Sequence, residues 1–114
     1  MDKIYRINYV VNEKGVSCSV YVYRVVGETK FYYICKAGDR SRQISKNDIG
    51  LVKNVDRERI VYKVYVTDLF EKERYIDEMV SRVREVSAKQ IERYKKIYDN
   101  ANPCWCEIIE VEED

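Results

Sequence analysis

The chain has no histidine, one proline, four glycines and only two leucines among its 114 residues. Without an imidazole neither a Ser-His nor a Cys-His pair can be assembled, which removes the commonest means of activating a nucleophile. The few glycines all sit in turn-like settings and leave no phosphate-cradling loop and no dinucleotide fingerprint. No run approaches the ~18 apolar residues that a membrane-spanning helix requires, and the charged start Met1-Asp2-Lys3 leads into no signal-peptide core. An excess of charge of either sign is lacking too. Lys and Arg number 21 against 20 Asp and Glu, a net charge of +1, which excludes a strongly basic nucleic-acid coat and an acidic mimic of DNA. These absences predict a soluble, cytoplasmic, non-enzymatic single domain that needs no cofactor.

What the chain does have is β-branched and aromatic residues: 16 Val, 11 Ile and 11 Tyr, a composition that suits a pleated, half-buried surface. From residue 1 to 67 the pattern alternates and turns. Lys3 to Asn12 reads as a first strand, with Ile4, Arg6, Asn8 and Val10 on one face and Tyr5, Ile7, Tyr9 and Val11 on the other. Val16 to Val26, Lys30 to Lys36, a short piece at Arg42 to Ile44, Leu51 to Val55 and Arg59 to Thr67 follow as strands. Ser45 and Asp48 have the spacing of an N-cap and its third-position acid, which predicts one helical turn over 45–49. The expected architecture is α+β: a small antiparallel meander or partly open barrel, one long helix, and a short final strand.

The helix is expected over 68–99. Asp68 and Glu71 fit a capping box, and Ile76, Met79, Val80, Val83 and Val86 form an apolar stripe that Ile91, Tyr94, Ile97 and Tyr98 continue after a shift of phase. Asn100 to Pro103 ends it, because proline cannot continue a helix. Ser87 to Gln90 has the spacing of a second capping box, which would split the helix in two. Unbroken, such a rod is ~45 Å long against a domain diameter of roughly 30 Å, so it overhangs its own sheet. That overhang predicts self-association through Val83, Ile91, Tyr94, Ile97 and Tyr98. Residues 104–111 alternate again as an edge strand, and 112–114 are an acidic tail.

The cysteines offer little chemistry at this stage. Cys104 and Cys106 stand one residue apart, closer than the two to four intervening residues usual between paired zinc thiolates, and Cys18 and Cys35 lie elsewhere. Buried thiols are the expectation, with no metal and no disulfide framework. Residues 36–63, by contrast, hold eight bases against four acids. Arg40, Arg42, Arg57 and Arg59 lie in or beside turns, with Tyr32 nearby. Arg93 and Tyr94 add a second basic and aromatic patch on the helix. Guanidinium forks with aromatic faces suit a small anionic ligand carrying a flat ring. Single-stranded nucleic acid has the same chemistry, but a nearly neutral chain disfavours it.

The order of strand hairpins, the turn ISKNDIGLV at 44–52, the strand RERIVYKVYVTD and a long charged helix resembles small bacteriophage counter-defence proteins. In layout it is most similar to the anti-Thoeris sponge family, over residues 16–99. That resemblance implies a protein that sequesters cyclic ADP-ribose isomers made by bacterial TIR-domain proteins, and assembly through helices. A second reading is a protein-binding inhibitor of a bacterial defence system, such as an anti-CRISPR, docking through a tyrosine-rich sheet face or the acidic C-terminal edge.

Overall fold

A computed structural model describes residues 2–56, 60–89 and 91–110, with backbone alone for 91–93 and 110. The first strand, β1 (Lys3–Asn12), turns at Glu13-Lys14 into β2 (Gly15–Glu28). Asn12 makes this turn: its Oδ1 accepts the amides of Lys14 at 2.8 Å and Gly15 at 3.1 Å. Register follows from the turn, placing Arg6 opposite Tyr21 and Ile4 opposite Tyr23. Next come β3 (Tyr32–Ala37) and β4 (Arg40–Ser45), joined at Gly38, whose φ of 63° favours a residue without Cβ.

A single 3₁₀ turn, Lys46–Asp48, follows, and Ser45 caps it as expected by accepting the Asn47 amide at 3.3 Å. The chain then crosses one end of the sheet, held by the Gly50 amide donating to the Tyr65 carbonyl at 2.7 Å. It returns as β5 (Lys53–Asp56) and β6 (Val61–Val66). The strand order is β4-β3-β2-β1-β6-β5, curled into a half-barrel, so the α+β expectation and the partly open sheet hold.

The single long helix does not. Two helices stand in its place, α1 (Lys72–Ala88) and α2 (Ile91–Asn100), the second kinked at Tyr94. The capping box at Asp68 does not form either. Asp68 Oδ1 accepts the Phe70 amide in a turn before the helix, and Glu71 pairs with Arg74 at 2.7 Å instead of capping. The break has a packing cause. Val83, Ile97 and Ala101 are all buried in one core with Ile7, Tyr9 and Val20 of the sheet. A straight rod would carry Ile97 and Ala101 away from that sheet; a break near Lys89 brings them back.

Val83 and Ile97 therefore serve their own chain's core, and the overhang that was to present them to a second copy is gone. Tyr94 and Tyr98 are half-buried, and the Ile91 side chain lies outside the described residues.

The last strand, β7 (Cys106–Glu110), joins the edge of β2, running parallel to it with Cys106 opposite Cys18. These two cysteines form a disulfide, which corrects the expectation of four thiols; Cys35 and Cys104 are free. No helix is long and apolar enough to cross a membrane among the described residues.

Candidate functional site

Both faces of the sheet are used, for different purposes. The helices cover the face that carries Ile7, Tyr9, Val20 and Val64. On the opposite face a second, smaller cluster of Ile4, Tyr23, Cys35, Ile44 and Tyr65 fills one end of the half-barrel. Ile49, from the segment crossing that end, packs against it. Beyond the cluster the face turns polar, because Arg6 and Asn8 follow Ile4 at the alternate positions of β1.

Their neighbours are set by register. Arg6 lies between Tyr21 on β2 and Tyr65 on β6, and Asn8 between Ser19 and Lys63. The Arg6 guanidinium stands 4.5 Å from the Tyr21 ring centroid and 5.6 Å from that of Tyr23. Arg42, on β4, approaches the same Tyr23 at 5.8 Å and donates from Nη1 to its hydroxyl at 3.1 Å. Lys63 lies 4.9 Å from the Tyr65 ring and donates to its hydroxyl at 3.4 Å. Three cations thus share one face with three phenols. Among the described residues no carboxylate pairs with Arg6, Arg42 or Lys63.

Among the described residues, two atoms of this face are buried without a partner: Arg6 Nε and Asn8 Oδ1. A buried polar group left unpaired costs roughly 1–3 kcal/mol, and most folded proteins avoid it. Here a donor and an acceptor are both unpaired two residues apart on one strand.

The expected ligand residues divide. Arg42 belongs to this face, and Arg40 shares it at the exposed start of β4. Tyr32 alternates to the other face and is exposed. Tyr94 packs in the helical layer, so within one chain the sheet separates it from Arg42. Arg57 and Arg59 lie outside the described residues, as does the Arg93 side chain. Sequence reasoning passed over Arg6, Tyr21, Tyr23 and Lys63. The signal was the hairpin turn, which sets Arg6 against Tyr21 once Asn12 is recognised as its start.

Of the two free thiols, Cys35 belongs to the cluster on this face and Cys104 packs on the helix side. Burial pushes the thiols of Cys35 and Cys104 up, the opposite of what an activated nucleophile needs. Among the described residues no three acid, thiol or imidazole groups stand close enough together to hold a metal ion. No family model, curated protein or solved structure matches the chain.

Proposed function

We propose that the protein binds and sequesters a small anionic nucleotide on the Arg6/Tyr23/Arg42 face without breaking it. The ligand is a cyclic nucleotide messenger of the cyclic ADP-ribose type, and the role is phage counter-defence. The unpaired Arg6 Nε and Asn8 Oδ1 carry the reading. A cation and an acceptor side by side match a phosphate oxygen and the amino group of a base, and the flanking phenols offer a stacking surface. Sequestration in place of turnover is the reading that its donors, cations and rings support: they bind and stack on a nucleotide.

Calorimetric titration against a panel of cyclic nucleotides, including a cyclic ADP-ribose isomer, tests this. Wild type binds at least one member, and heat denaturation returns that ligand unchanged. Arg6→Ala and Arg42→Ala each weaken binding by roughly ten- to hundredfold, the loss of a charge-assisted hydrogen bond worth ~1.5–3 kcal/mol. A wild type that binds no member of the panel, or that returns a product, overturns the proposal.

A further inference from the structure

On the helix side of the sheet, at its β7 corner, the covering layer stops short. A cleft of about 420 Å³ opens there between the first turns of α1 and the segment from Pro103 to Ile108. Cys106 and Ile108 of β7 and Ile76 of α1 give it an apolar lining, and Trp105 stands at it with 89% of its surface exposed. Ile108 is 54% exposed although it lies inside a sheet-forming segment. Among the described residues β7 pairs only with β2, which leaves the backbone groups of its other edge without a strand. This strand contains neither Pro nor Lys, two of the residues that usually deter edge pairing.

Charge indicates the occupant. Glu73 and Asp77 line the helical wall against one base, Lys72, and Glu107 stands exposed on β7. A second copy of the chain would bring the same acids to the same edge, and like charges placed across a strand pair are destabilising. A cationic strand meets the opposite situation.

We infer that this groove is a docking site for an extended, cationic and apolar segment of a partner protein. The segment adds to the free edge of β7, places alternate apolar side chains against Ile108 on the face turned to α1, and presents the intervening lysines or arginines to Glu107, which alternates to the opposite face. The apolar groove lies on the other side of the sheet from the nucleotide face, with Glu107 alone alternating toward that side beside Ser19, and the inference does not depend on the reading given to that face.

Trp105 is the only tryptophan, so its fluorescence reports on the groove directly. The probes are three ten-residue peptides: alternating Val-Lys, alternating Val-Glu, and the Val-Lys peptide with prolines at two central valines. The Val-Lys peptide is expected to produce a saturable blue shift that weakens as salt rises. The Val-Glu peptide gives none, and the proline peptide binds at least tenfold more weakly because it cannot donate along the edge. Ile108→Asp and Glu107→Lys, both at exposed positions, each weaken the Val-Lys peptide at least tenfold while leaving the melting temperature close to that of wild type. Absence of a saturable shift with Val-Lys, equal binding of Val-Glu, or variants that bind like wild type would each overturn the inference.

Discussion

The hydroxyl of Tyr9 donates to the backbone carbonyl of Asn102 at 2.6 Å, joining the first strand to the segment that leads into the last. Tyr9 is fully buried, and this bond is what its phenol has in place of water. Burial, followed by the nearby Cys104, pushes its pKa well above the ordinary tyrosine value of 10. A folded-state pKa above the unfolded one means the fold holds this proton more tightly. The corresponding stability is complete below pH ~10 and is lost as pH rises through the folded value. Urea denaturation at pH 8 and pH 11 should show wild type losing stability between them. Tyr9→Phe should cost ~1 kcal/mol at pH 8 and flatten the alkaline loss.

The disulfide gives a count to check. Unfolded under non-reducing conditions, the protein should present two thiols to a thiol reagent, Cys35 and Cys104, and four after reduction. The bridge spans 88 residues, so its loss should destabilise the fold by on the order of 2–5 kcal/mol. Cys18→Ser should reproduce that loss in the absence of reductant, since the bridge is then missing whatever the conditions.

Ile97→Glu separates two roles for one residue. Were Ile97 an exposed interface residue, the substitution would alter assembly and leave the fold intact. Buried in its own core, it should destabilise the chain by roughly 3–5 kcal/mol, the cost of an unpaired charge placed there. The denaturation midpoint measures it directly.

Ser87 makes the opposite case. It is fully buried in α1 and its hydroxyl has no partner among the described residues. Ser87→Ala removes the unpaired group and improves helix propensity, and should raise stability by ~1 kcal/mol on thermal or chemical unfolding. A loss of stability instead would mean that the hydroxyl has a bonding role.

The nucleotide face predicts a charge-geometry effect at Arg6. Arg6→Lys keeps the charge and removes the planar fork that lies over Tyr21 and Tyr23. It should bind a cyclic nucleotide more weakly than wild type and more tightly than Arg6→Ala. Calorimetry of the three proteins gives the ranking.

Much of this was legible from local signals. The bounds of β1 coincide with the alternating run Lys3–Asn12, Ser45 caps the turn that its spacing with Asp48 announces, and the helical segment stops before Pro103. Alternation, caps and proline act within a few residues, so the sequence alone determines them. Charge counting reached Arg40 and Arg42 for the same reason: an excess of base in 36–63 is a property of the string. Arg6 was not visible that way, standing outside that basic segment in a largely apolar strand; it gains meaning from Tyr21 and Tyr65, which the sheet places on either side. Tertiary structure alone decided the Cys18–Cys106 bridge and the parallel pairing of β7, and it chose between the unbroken helix and the split that the spacing of Ser87 to Gln90 also allowed. Each joins residues far apart in the chain, and each is selected by the burial of a shared core.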